Sequence, residues 1–413
     1  MAVEGTAVAS GPYSAFAFRD FPYWIAYRYL SGVALQMRAV AVGWYLYERT
    51  GSAVALGIAG LATFVPSLIF ALFTGHVADT RNRRNVVVVS FGVCAAAMIA
   101  LTVAVATTTP PLWFIYLSVA VIGAGRAFGN PASQAITPNL VPKEHFANAV
   151  TWYSSVWQLA VVTGPAIGGL LYFFGSYAIF FVSSAAFVLC VLCAAMLKTP
   201  LDPSKAGRGP ISWATLSAGL RFMWSRQVIF GAIALDLVAV MFGGVTALLP
   251  ILAKDVLEVG PEGLGILRAG PAIGAVLMGF LIARMPVESR AGRKMLVAVG
   301  IYGLAAIMVG FSPWFLLSLA CLIVMGAADQ VSVVIRHTMV QSDTPDEMRG
   351  RVAAVNSIFV SGSADLGEFR AGMSAALFGV GNAIVIGGLC TMFFAAAWAK
   401  LFPELAKRDK LVQ

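Results

Sequence analysis

Apolar stretches of about twenty residues recur from one end of this chain to the other. Short polar turns separate them, such as Thr107-Thr108-Thr109-Pro110-Pro111 and Phe311-Ser312-Pro313. A helix of about twenty residues rises ~30 Å, the thickness of a bilayer's hydrocarbon core. Within lipid every backbone N–H and C=O must find a partner inside the protein, which leaves α-helices or closed β-barrels. These stretches are too long for barrel strands and do not alternate apolar with polar residues, so a barrel is excluded. Only 11% of the 413 residues are charged, against about a quarter in a soluble protein, and mean hydropathy is +0.84. The expectation is an all-α membrane protein with twelve transmembrane helices. They fall roughly at 22–47, 54–78, 85–107, 112–136, 147–172, 177–197, 229–253, 263–285, 295–311, 314–337, 352–378 and 382–401. The first residues carry no basic region followed by a short apolar core and a cleavage site, so the first helix is expected to insert uncleaved.

Lysine and arginine orient such a chain, because they concentrate in cytoplasmic loops. With both termini placed in the cytoplasm, twenty basic residues fall at cytoplasmic ends and loops. Two, Arg49 and Lys254, fall outside, and Arg28, Arg38, Arg126, Arg268, Arg336 and Arg370 fall within spans. This predicts a multi-pass protein of the cell inner membrane. It also accounts for the net charge of +9 through membrane lipids, without nucleic acid.

The longest polar connection divides the chain into an N-terminal six-helix bundle (1–197), a cytoplasmic linker (198–228) and a C-terminal six-helix bundle with its tail (229–413). Within the linker, Trp213, Leu216, Leu220 and Trp224 are spaced for one helical face, which predicts an amphipathic helix on the membrane surface. The halves read as repeats. A shift of about 203 residues places Pro142 and Glu144 on Pro345 and Glu347, Ser154 on Ser357, Gly164 on Gly367, Arg126 on Asp329, and Gly57 and Leu61 on Gly260 and Leu264. Parallel repeats of this kind form a substrate site at mid-membrane between two pseudo-symmetric halves.

Charges inside spans are the sharpest functional signal, because an ionisable group in lipid costs several kcal/mol unless it is paired or faces a cavity. The acidic candidates for proton coupling are Asp236, Asp329, Asp365 and Glu368, and Asp365 and Glu368 share a helix face by their spacing of three. Arg38, Arg126 and Arg268 are the candidate counter-charges. Gln36, Asn130 and Gln134 are candidates to hydrogen-bond a substrate in the cavity. Six aromatic residues from Tyr13 to Trp24 are expected to anchor the interface before the first span. No G-x-x-x-x-G-K-[ST] occurs and no nucleophile, base and oxyanion arrangement stands out, so neither an ATP-binding loop nor an enzyme is expected. His76, His145 and His337 are isolated and the five cysteines lie in apolar spans, so no metal or cofactor is expected either.

Between the second and third spans stands Gly75-His76-Val77-Ala78-Asp79-Thr80-Arg81-Asn82-Arg83-Arg84. The pattern G-x-x-A-D-x-x-x-R-R there resembles the corresponding loop of the major facilitator superfamily. That resemblance implies that Gly75, Asp79, Arg83 and Arg84 form a gating latch. The equivalent loop of the second half keeps Gly279, Arg290, Arg293 and Lys294 but has Ala283 where Asp79 would fall. In the fifth span, Gly164-Pro165-Ala166-Ile167-Gly168-Gly169 is similar to the motif of drug/proton antiporters, with Thr151 and Ala160 where further glycines would stand. Gly164, Pro165, Gly168 and Gly169 are then expected to kink and tightly pack that helix. Trp44 to Ser52, Leu366-Gly367-Glu368-Phe369 and Phe402-Pro403-Glu404-Leu405 resemble the branch with enterobactin-type siderophore exporters. The resemblance implies the major facilitator fold and a monomeric secondary transporter. It would export a siderophore, drug or other small amphiphile in exchange for protons by alternating access. Import or facilitated diffusion of a nutrient or lipid fragment, and a non-transporting scaffold or sensor, are the alternative readings.

Overall fold

A computed structural model describes residues 11–199, 213–285 and 289–409. The side chains of some helical residues also lie outside the description, among them Gly75, His76 and Asp79 of the expected latch and Trp213 and Leu216 of the linker. The elements described are helical throughout: α1 (Phe21–Thr50), α2 (Ala53–Thr80), α3 (Arg83–Thr107), α4 (Leu112–Leu140), α5 (Phe146–Leu171), α6 (Ser176–Ala195), α7 (Trp213–Ser225), α8 (Gln227–Gly243), α9 (Leu249–Ile251), α10 (Gly260–Arg284), α11 (Ala291–Phe311), α12 (Phe315–Asp343), α13 (Asp346–Phe378), α14 (Val380–Leu401) and α15 (Pro403–Lys407). Turn chemistry sets several boundaries. Gly51 closes α1 in the left-handed conformation at φ 59°, and the Asn82 side chain accepts from the Asn85 N–H to cap α3.

Ten helical segments among the described residues are long and apolar enough to cross a membrane. The chain is thus a multi-pass membrane protein. The two long helices outside that set are α1 and α13. Both exceed membrane length, but α1 carries Arg28 and Arg38, and α13 carries Asp365, Glu368 and Arg370.

Helix neighbours repeat in order. In the first half of the chain α1 packs on α5 and α6, α2 on α4, and α3 on α4 and α6. In the second half α8 packs on α13 and α14, α10 on α12, and α11 on α12 and α14. The two sets meet chiefly through α2 against α13 and α5 against α10. For orientation, the terminal end of the bundle is the one carrying Gly11 and Asp409, and the loop end is the opposite one.

Three local details add to the expected pattern. The span expected at 229–253 is not one regular helix: α8 stops at Gly243, and the chain resumes through a short turn, α9 and a π-helical stretch, Leu252–Val256. Arg370 compensates, donating from Nε to the Met241 carbonyl at 3.0 Å and from Nη2 to the Phe242 carbonyl at 2.7 Å. Those carbonyls sit at a helix C-terminus without intrahelical donors, where a cation is also favoured by the dipole. In the aromatic run that leads into α1, Tyr13 is exposed but the side chains at the helix start turn inward. Phe21 and Trp24 are fully buried, Trp24 donates from Nε1 to Thr137 Oγ1 at 3.1 Å, and Phe16 packs edge-on against Trp152. Finally, α7 forms as expected but packs against α13, burying Met223 and Gly219 while Trp224 stays exposed.

Candidate functional site

Between the two helix sets lies a cavity with about 220 Å³ open to the centres of water molecules. One water needs roughly 10–15 Å³ on that measure, so the space admits a small solute or many waters. Five of the seven candidate coupling and counter-charges converge on it: Arg38 from α1, Arg126 from α4, Arg268 from α10, and Asp365 and Glu368 from α13. Gln36, Thr63 and Trp157 also line it. The convergence follows from helix geometry. Gln36 and Arg38 face inward near the middle of α1, and Asp365 and Glu368 lie one turn apart on the face of α13 that meets α2.

No ion pair within 4.0 Å joins these five charges among the described residues. Arg268 donates from Nη1 to the Ala39 carbonyl at 3.2 Å, tying α10 to α1. The Nε atoms of Arg38 and Arg126 are buried without a hydrogen-bond partner. The wall thus presents three guanidiniums and two carboxylates, with room between them for a polar solute or for proton exchange with water. Behind the cavity, the Arg28 guanidinium stacks on Tyr153 at 4.3 Å and on Trp157 at 4.0 Å, which holds the Trp157 ring in place.

Glycines close the cavity toward the loop end. A Cβ at Gly57 would meet the Phe369 carbonyl at 3.1 Å, and one at Gly60 would meet Glu368 Cβ at 2.8 Å. Gly169 faces the Pro261 carbonyl at 2.7 Å and Gly265 Cα at 2.9 Å on the same measure. The glycine run of α5 therefore does two jobs. Gly169 packs on α10 in the other set, as expected, whereas Gly164 packs on α1 and Gly168 on α6 and α1, all in their own set. The helix runs unbroken through Pro165, so no interruption accompanies the motif. Further out, Tyr47 donates its hydroxyl hydrogen bond to Asp255, joining α1 to the segment after α9.

Four candidates lie elsewhere. Asp236 is buried in an ion pair with Arg336, at 3.0 Å, and Asp329 lines a separate small pocket beside it within α8, α11 and α12. The repeat that placed Asp329 on Arg126 puts it on the equivalent helix, but its side chain turns into its own set of helices. Asn130 and Gln134 do not line the cavity. They follow Arg126 by four and eight residues, which keeps them on its face but displaces them along α4 by about 6 and 12 Å toward the terminal end. At that end Arg83 donates to the Ala135 carbonyl of α4 at 3.1 Å, and Arg84 donates to the Ala195 carbonyl at the end of α6. Ala195 ends α6, where the helix dipole favours the Arg84 cation.

Trp157 and Thr63 were not among the sequence candidates. Trp157 lies seven residues before Gly164, two turns back on the same face of α5, and that spacing would have found it. Arg336 is a hundred residues from Asp236, and no spacing announces the pair.

The family model described as transmembrane secretion effector matches residues 7–412. Macrolide efflux protein A of Streptococcus pyogenes is 23% identical over 96% of this chain and 99% of its own length. Enterobactin exporter EntS of Shigella dysenteriae serotype 1 (strain Sd197) is 28% identical over 79% of this chain and 78% of its own. Among solved structures, a mutant of the nucleoside transporter NupG superposes with TM-score 0.75 at 14% identity, covering 93% of this chain and all of that one. A bacterial homologue of the lysosomal transporter Spinster, inward-facing and unoccupied, superposes with TM-score 0.71 at 15% identity, over 97% and 98%. At such identities the superpositions speak for the shared fold alone.

Proposed function

We propose that this chain, which belongs to the transmembrane secretion effector family of the major facilitator superfamily, exports a small molecule through the cavity between its helix sets. The observation that carries the reading is the convergence of Arg38, Arg126, Arg268, Asp365 and Glu368 from four helices on one solute-sized space. Structural ion pairs would not need that space, and these charges are not paired across it. The curated relatives named above are efflux proteins, which favours export over import. A scaffold or sensor has no use for five charges that face a cavity without ion-pairing to one another among the described residues.

The mechanism is alternating access. α1 and α13 span the membrane with the ten apolar segments, giving twelve spans in two six-helix halves, 1–197 and 229–413, that rock about the cavity. The repeated helix contacts support that division. The terminal end faces the cytoplasm, supported by the sequence pattern of twenty basic residues expected in cytoplasmic ends and loops against two outside, and the membrane is the bacterial inner membrane. Glu368 and Asp365 take up protons when the cavity opens outward and release them when it opens inward. Substrate favours the deprotonated cavity, so proton and substrate select opposite states and exchange follows. Arg38 and Arg126 donate to acceptor-rich groups of the substrate, and Trp157 packs on its apolar body. Asp79, Arg83 and Arg84 latch the cytoplasmic side. The protein works as a monomer.

Everted membrane vesicles with an acid interior test this directly, with a macrolide and enterobactin as probes. Wild-type vesicles accumulate a probe under the gradient, and Glu368→Gln lowers that pH-driven rate by about a hundredfold, as for loss of an essential proton-transfer group. An unchanged rate removes Glu368 from the mechanism.

A further inference from the structure

The second buried polar pocket lies entirely among helices of the second half, and none of its residues lines the central cavity. Its polar walls are Asp236 from α8, Tyr302 from α11, and Asp329 and Ser332 from α12. The space open to water centres is about 10 Å³, enough for one water-sized occupant. Asp236 is 4% exposed and pairs with Arg336 at 3.0 Å, and Arg336 also donates to Asn356 Oδ1 of α13 at 3.3 Å. No ion pair or hydrogen bond holds Asp329 among the described residues. Ser332 is 3% exposed, and its Oγ has no hydrogen-bond partner. Tyr302 donates its hydroxyl to the Gly243 carbonyl at 3.2 Å, which leaves the phenolic oxygen's lone pairs available.

Two carboxylates against one guanidinium leave a single negative charge in a low-dielectric interior. An unneutralised charge there costs several kcal/mol, so the site calls for one positive charge. A proton would supply it but would use neither the water-sized space nor the unpartnered Ser332 oxygen. A divalent ion would over-neutralise the site. The available donors are all oxygens, which suit hard cations and not soft ones.

We propose that Asp329, Ser332, Tyr302 and the free edge of Asp236 form a binding site for one dehydrated alkali-metal cation, sodium or potassium. The ion joins α8, α11 and α12. Through Arg336 and Asn356 it bears on α13, the helix that carries Asp365 and Glu368 to the cavity. Ion occupancy therefore biases the position of those carboxylates without touching the substrate.

The site does not depend on the transport reading and is tested without transport. Purified full-length protein is unfolded thermally in sodium chloride or potassium chloride series, with choline chloride holding ionic strength constant. An ion that binds only the folded state raises the apparent Tm along a saturable curve. One alkali ion is expected to do so, and the better of the two names the natural occupant. Ser332→Ala is expected to raise the half-saturating concentration about tenfold, as for loss of one neutral ligand, and Asp329→Asn to abolish the response. Equilibrium binding of radiolabelled sodium or rubidium to the same samples gives the result independently of how the variants unfold. Identical curves in sodium, potassium and choline would mean a structural water only and would overturn the proposal, as would an ion response unchanged in both variants. Loss of export in vesicles with the ion response intact would overturn the transport reading and leave this site standing.

Discussion

Asp20 shows how one side chain can tie down the start of a membrane helix. It precedes α1, and its Oδ2 accepts from the Lys198 N–H at 2.7 Å, the Thr199 N–H at 2.6 Å and the Thr199 hydroxyl at 2.7 Å. Burial alone pushes its carboxyl up, but the bonds from Thr199 and Lys198, helped by nearby Arg19, outweigh that and hold it below its ordinary value of 3.8. The folded state therefore favours the ionised form. The contribution is fully present above the unfolded value and is lost as pH falls through the lower folded value. Asp20→Asn should cost about 2 kcal/mol at neutral pH, as for hydrogen bonds to a charged group. It should lower the apparent Tm there, with the difference from wild type shrinking as pH falls below 3.8 and vanishing below the lower folded value. At this scale the sequence was readable for which charges matter and poor for whom they meet. Arg38, Arg126, Arg268, Asp365 and Glu368 stand out because lipid punishes charge, and they do share a cavity. Asp236, chosen by the same rule, sits in an ion pair with Arg336. Hydropathy carries no record of a partner a hundred residues away.

Among the helices, the two long ones outside the apolar set, α1 and α13, bring three of the five charges to the cavity. α1 and α13 fall outside the apolar set for the same physical reason that they matter: their polar faces are turned from lipid toward the space between the helix sets. Interruption of the helix after Gly243 was not legible. Gly243-Gly244 marks weakness there, but Arg370, which satisfies the freed carbonyls, comes from another helix. The glycines of α5 were legible as a packing device. Their division between α1 and α10 was not, because adjacent glycines point about 100° apart and only the tertiary arrangement says what each one meets. Gly169→Leu tests the seam. Its side chain would drive into the backbone of Pro261 and Gly265, which cannot yield as a flexible side chain would. We expect a loss of about 1–3 kcal/mol of stability and a fall in vesicle transport, while Gly92→Leu, where a Cβ meets nothing within 4 Å, leaves both near wild type.

At the scale of the whole molecule, the repeat offset near 203 residues foretold a recurring helix order, and the contacts repeat in that order. Two like sets of helices meeting mainly along α2 with α13 and α5 with α10 are suited to rocking, since two narrow seams give way more readily than an extended core. Gly57, Gly169 and the Tyr47–Asp255 bond bring the two sets together toward the loop end. Export through the charged cavity is the claim on which the account stands. It is tested most directly by mass spectrometry of cells and medium, in iron-replete and iron-poor growth, for a deletion strain restored with wild-type protein or with Glu368→Gln. Export requires a metabolite that accumulates inside the deletion strain and disappears from its medium, with wild type reversing both changes and Glu368→Gln reversing neither. A metabolite left unused in the medium of the deletion strain, and consumed when wild type is restored, would contradict export and make the protein an importer.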